Sequence, residues 1–131
     1  VVPKRFATWF FVARAATEHQ VTVDGSEIHE HRWISPARML RHHADGEVEL
    51  APPTWVTLHR LAQHGDVAAL LADARAAEPE HFRTQHVNGA SGSMFVWHGD
   101  VAYGPGGRDP DDPGPRHRLV PQPGMWRYER S

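Results

Sequence analysis

The chain has 131 residues, 40% hydrophobic and 23% charged, with a formal net charge of -2, which is the make-up of one ordinary globular domain. This balance gives no sign of a nucleic-acid partner or an anionic membrane surface, and the absence of cysteine excludes disulfides, thiolate nucleophiles and cysteine-type zinc sites. No apolar run approaches the ~20 residues needed to cross a bilayer, so a cytoplasmic protein is expected; its eleven histidines would turn it basic below about pH 6.

In chain order, the first feature is apolar. Residues 5–16 contain Trp9-Phe10-Phe11-Val12-Ala13, an aromatic and β-branched run that predicts a strand. Being apolar on both faces, it should lie inside a sheet covered on both sides. No signal peptide is legible at Val1-Val2-Pro3-Lys4-Arg5, because no apolar h-region and cleavage site follow the basic start. The chain is instead expected to begin in mid-fold. A turn is predicted at Asp24-Gly25-Ser26 and a second strand over residues 28–34.

Ser35 followed by Pro36 is an N-cap before proline at the first helical position. It predicts a helix over residues 36–44, with Ala37, Leu40 and Ala44 on one face and Asp45-Gly46 as the stop. Thr54 is expected to cap a helix over residues 55–64 that groups Leu58, Leu61 and Ala62. Asp66 should cap a third over residues 67–77, and Pro79 closes that segment. Composition then changes. Residues 94–97 and 101–103 read as short strands around a turn at His98-Gly99-Asp100. Residues 104–115, dense in Gly, Pro and Asp, read as a loop. Residues 117–120 and 126–128 form a closing hairpin.

Three blocks carry a resemblance. They are Arg5-Phe6-x-Thr8-x-Phe10-Phe11-Val12-Ala13, Glu30-His31-Arg32-Trp33-Ile34-Ser35-Pro36-Ala37, and Glu47-Val48-Glu49-Leu50-x-Pro52-Pro53-Thr54-x-x-x-Leu58-x-x-Leu61. In order and spacing the chain resembles the C-terminal portion of Nudix hydrolases, in the coenzyme A diphosphatase-like branch of actinobacterial type. The tail, Gly114-Pro115-Arg116-His117-Arg118-Leu119-Val120 and Trp126-Arg127-Tyr128-Glu129-Arg130, looks like that branch's closing hairpin. The resemblance implies an α+β fold: part of a Nudix α/β/α sandwich, with a mixed sheet and two or three helices, then a β-rich C-terminal extension. Residues 1–78 would be the Nudix part and residues 79–131 the extension, with its loop at 104–115.

It also implies a chemistry. Nudix enzymes hydrolyse a small-molecule diphosphate linked to a variable group, and Mg²⁺ or Mn²⁺ neutralises charge on the phosphates. The ions are held by carboxylates of the motif Gly-x5-Glu-x7-Arg-Glu-x2-Glu-Glu-x-Gly. This sequence has no Glu-Glu pair and no Arg-Glu dipeptide. The motif would precede the strand at Trp9, so the box is expected to lie upstream of Val1. Mg²⁺ or Mn²⁺ is therefore expected for the intact family, with none bound tightly here.

Glu27 is the surviving carboxylate whose place matches a glutamate that, in some family members, ligates metal or helps deprotonate the attacking water. Otherwise it is a solvated loop glutamate. Glu30 reads as one half of a cross-strand charge pair. His29 and His31 would share one strand face, able to hold zinc only with a third ligand and otherwise a polar sheet face. His42-His43 and the isolated His59, His64, His81, His86, His98 and His117 show no ligand spacing and read as surface residues. Trp33 should anchor the Pro36 helix on the sheet, while Phe6, Trp9 and Phe11 read as core rather than a base-stacking cleft. Residues 88–93 lack the Lys-Ser/Thr of a phosphate loop and read as a plain loop. Ser35 and Ser91 have no acid–base partner. The expected function is thus a diphosphatase portion, inactive alone. The alternative is a non-catalytic module that completes its sheet by self-association or by pairing with another chain, such as a missing N-terminal half.

Overall fold

Proline opens both of the first two helices, for one physical reason. First-turn N–H groups have no intrahelical acceptor, so a residue without an N–H loses nothing there, and its fixed φ suits the helix. The computed structural model describes residues 7–16, 21–26, 31–90, 92–122 and 125–131. These fall into two compact units, one from Trp33–Gln63 with Pro79–Ser131 and one from Val1–Arg32 with His64–Glu78.

In the larger unit, α1 spans Pro36–Ala44, as the Ser35-Pro36 signal predicts. Arg41, His42 and His43 fill its last turn, where cations complement the helix dipole. Its inward edge is not the expected one. Ala37 and Ala44 are exposed, and Leu40 turns inward with Met39 and His43. The His43 ring meets Trp126 edge-on at 5.0 Å, and that contact sets the helix's rotation.

Helix α2 spans Pro52–Leu61 with Ala51 as its N-cap, so the expected cap at Thr54 and end at His64 are both displaced toward the N-terminus. Two successive prolines start it without cost, and Thr57 Oγ1 donates to the Pro53 carbonyl at 2.8 Å. Trp55 and Val56 are its buried residues.

The sheet runs β1 (Gln85–Gly89), β2 (Gly92–Val96), β3 (His117–Gln122) and β4 (Met125–Arg130), in spatial order β1-β2-β3-β4. Every pairing is antiparallel, so the mixed sheet implied by the resemblance is not found among the described residues. Residues 88–93 lie mostly in the β1–β2 hairpin rather than in a free loop. The expected strand at residues 101–103 is a pair of turns, because Val101 N–H bonds the Pro115 carbonyl across the loop and leaves no ladder.

Side chains alternate across the sheet, and each face has its own core. One face gathers Trp97 and Leu119 with Trp55 and Val56 of α2, flanked by Leu40, Phe82, Phe95, Trp126 and Tyr128. The other gathers Met94, Val96 and Val120 with Val87 and Tyr103 beneath the long β2–β3 connection. That connection comes very close to the sheet: a Cβ at Gly89 would lie 3.0 Å from Asp111 Oδ2 and 3.1 Å from Pro110. Its own fold is equally tight, since a Cβ at Gly107 would lie 2.4 Å from the Ala102 carbonyl oxygen.

In the smaller unit, α3 spans Val67–Ala76, and the Asp66 carboxylate accepts from Ala69 N–H at 2.8 Å, the predicted cap. Ser26 N–H donates to Asp24 at 2.9 Å, and Gly25 has φ 73, so the expected turn is present. The strand expected at Trp9 is not. Residues 7–16 have no ladder partner, and Trp9, Phe10 and Phe11 are 71%, 59% and 83% exposed. An extended segment becomes a strand only when a neighbour supplies its hydrogen bonds. The second expected strand also fails where described: residues 31–34 have no ladder partner, and Trp33 is 71% exposed instead of anchoring α1. Residues 27–30 lie outside the described residues.

Leu119 is fully buried between Trp97 and α2. Leu119→Ala should lower unfolding stability by about 2–5 kcal/mol, read as a shift of the urea midpoint with an unchanged slope.

Candidate functional site

Two polar centres flank β3, and the chemistry of the larger unit follows from what each has already bound. The first is sealed. Arg118 points into the second face of the sheet and grips Asp100 through two bonds of 2.7 Å, Nε to Oδ2 and Nη2 to Oδ1. Asp100 also accepts from the backbone N–H groups of Ala102 and His117, both at 2.9 Å. The remaining Arg118 nitrogen, Nη1, donates to the Pro110 carbonyl at 2.8 Å and meets Met94 Sδ at 3.3 Å. Side-chain exposure is 4% for Arg118 and zero for Asp100. Burial raises the Asp100 pKa, and the Arg118 hydrogen bonds and the two backbone donors outweigh it and hold it below 3.8. A pair this buried and this saturated is structural.

The second centre opens to solvent. Pro79, Glu80, His81 and Arg83, on the segment that leads to β1, line a cleft of about 500 Å³ with His98, Tyr103 and His117. Glu80 is its only carboxylate. Arg130 binds Glu80 in parallel, Nη1 to Oε2 at 2.9 Å and Nη2 to Oε1 at 2.8 Å, and Arg60 Nη1 adds a bond at 3.0 Å. Burial raises the Glu80 pKa, while Arg130, Arg60 and His117 together outweigh it and keep the group below its ordinary 4.5.

His117 forms the cleft floor at 5% exposure, which overturns the expectation of a surface residue. Its Nδ1 lies 2.8 Å from the His98 carbonyl. A carbonyl only accepts, so Nδ1 carries hydrogen. The other ring nitrogen, Nε2, makes no hydrogen bond and stands 3.8 Å from Glu80 Oε1. Phe82, Trp97 and Tyr128 surround the ring at 5.4 to 5.9 Å. His59 is also an inner residue, stacked on Trp55 at 5.1 Å, and burial lowers its pKa from 6.5.

Among the sequence-predicted residues, Glu27, His29 and Glu30 lie outside the described residues. His31 is exposed. Among the described residues, no group of three or more His, Asp or Glu is placed to hold a metal ion. Helices α1 and α2 contain no carboxylate, and Asp73 is the only one in α3. The carboxylates of the two polar centres, Asp100 and Glu80, are both engaged by guanidinium groups. The Glu80 cleft was not legible in the sequence; its sole signal is the run Glu80-His81-Phe82-Arg83, an acid followed by basic and aromatic residues.

Comparison with protein-family profiles, with curated proteins and with solved structures finds no match. What the chain shows in its own right is an α+β protein with an antiparallel sheet.

Arg118→Met should destabilise the fold by about 3–5 kcal/mol, because it leaves Asp100 charged and buried without a partner. Asp100→Asn in the same chain should recover part of that loss, which a double-mutant cycle in urea measures. Acid should act in two stages. His59 has a lowered folded pKa, so its contribution is present above 6.5 and is lost as pH falls through the folded value. Asp100 and Glu80, also lowered, lose theirs as pH falls below the ordinary 3.8 and 4.5 through their folded values. In denaturant titrations across pH, His59→Phe should remove the first stage and leave the second.

Proposed function

We propose that the chain is the C-terminal portion of a Nudix-type metal-dependent diphosphatase acting on nucleoside-diphosphate-linked compounds, such as coenzyme A or nucleotide derivatives, and is inactive by itself. The residue blocks carry the family. The observation that supports the portion is the apolar segment at residues 7–16, which has the composition of a central strand and yet no ladder partner. An exposed Trp-Phe-Phe run favours association strongly. The catalytic carboxylates in this reading belong to chain outside the sequence, and Glu27 would join them as an accessory ligand or base. With no fitting metal ligands among the described residues, no catalytic step is assigned to the larger unit.

The same exposed segment favours a second reading, a non-catalytic association module that completes its sheet with another chain. The two readings differ in what lies beside the chain. An in-frame Gly-x5-Glu-x7-Arg-Glu-x2-Glu-Glu in the DNA preceding the Val1 codon supports the first; its absence there, with concentration-dependent association of the purified chain in sedimentation, supports the second.

The purified chain should show no turnover of coenzyme A or ADP-ribose with Mg²⁺ or Mn²⁺ above the buffer rate. Hydrolysis that persists in a Glu27→Gln variant would overturn the proposal.

A further inference from the structure

We propose that the open cleft beside β3 binds a phosphate monoester, with Arg83 as the principal anion contact and His81 and His98 as flanking donors. The argument rests on the cleft itself and does not use the family reading. Glu80, the only carboxylate in its wall, already holds Arg130 through two bonds and Arg60 through a third. The Glu80 charge is thereby met by two guanidinium groups of the fold, and Arg83 is the guanidinium that lines the cleft itself.

Arg83 is exposed at this opening and makes no hydrogen bond or ion pair with any described residue. A guanidinium left open in this way offers a planar fork of N–H donors matched to phosphate oxygens. His81 and His98 are exposed at the same opening. The His98 backbone is fixed from below, because its carbonyl accepts from buried His117, so this donor is held on a rigid support. The cleft, at about 500 Å³, has a volume typical of small-molecule sites and exceeds a phosphate alone. Tyr103 also lines the cleft, its ring meeting that of His98 edge-on at 6.1 Å, and would supply an aromatic wall for the esterified group.

The test uses the whole chain, with inorganic phosphate and phenyl phosphate as probes in calorimetric or NMR titration at fixed low salt. Saturable binding of phenyl phosphate is expected. Arg83→Gln should weaken it about tenfold or more, the loss of one charge-assisted contact, and Arg83→Lys, which keeps the charge without the fork, should fall between. Arg127→Gln removes an exposed guanidinium on β4 that pairs with Glu129 and should change nothing. Phenyl phosphate binding more tightly than inorganic phosphate assigns the Tyr103 side to the ester group; equal affinities assign the site to the phosphate alone. No saturable binding of either probe, or an Arg83→Gln chain that binds like wild type, overturns the proposal.

Discussion

The larger unit depends on the ion pair between Asp100 and Arg118, because it joins three pieces of chain. Asp100 begins the long connection between β2 and β3, Arg118 sits within β3, and Pro110, which Arg118 also binds, lies near the connection's far end. Taking both charges out of water is costly. The cost is offset only because every polar atom of the pair has a partner in good geometry: two guanidinium contacts and two backbone N–H groups for the carboxylate, a carbonyl for the remaining guanidinium nitrogen. The connection is thereby pressed on the sheet closely enough that a side chain at Gly89 would crowd Asp111 and Pro110, and it is folded on itself closely enough that one at Gly107 would strike the Ala102 backbone. The second core, around Met94, Val96 and Val120, exists because this cover stays in place.

The opposite face is held by different physics. It is a chain of rings, from His43 and Trp126 through Trp55 and His59 to Tyr128, His117, Trp97 and Phe82. Three of these rings are histidines. They contribute flat contact area, and burial holds one of them, His59, below its ordinary 6.5, which ties this core to pH in a way an aliphatic core is not. At its rim stands Glu80, which gathers Arg60 and Arg130 and faces His117. The same side chain thus closes the aromatic core and sets the electrostatics of the cleft. Because it is neutralised from within, the cleft is left to its basic residues.

The smaller unit contains residues 7–16. Its apolar segment and the larger unit's well-formed sheet are opposite cases of one rule, that extended chain is stable only when its backbone groups are paired. Strands β1 to β4 find those partners in one another. The Trp9 segment has strand composition and no such partner among the described residues.

Sequence alone determined the local starts and stops. Ser35-Pro36 and Asp66 placed α1 and α3 because caps and proline act within one turn, through the chain's own nearest N–H groups. The Asp24-Gly25-Ser26 turn and the closing hairpin were legible for the same reason. Thr54 has the side chain of a cap, but Pro52 and Pro53 are permitted in a first turn and start α2 ahead of it. The pairing of β1 with β2, the inward face of α1, the burial of His117 and the union of Asp100 with Arg118 were decided by tertiary structure. Each depends on a neighbour far along the chain, and no local pattern records which distant backbone will pair, which ring will meet His43, or which guanidinium will reach a carboxylate. Arg83 and Glu80 look alike in the sequence as charged residues of one short segment; only the fold pairs Glu80 and leaves Arg83 open.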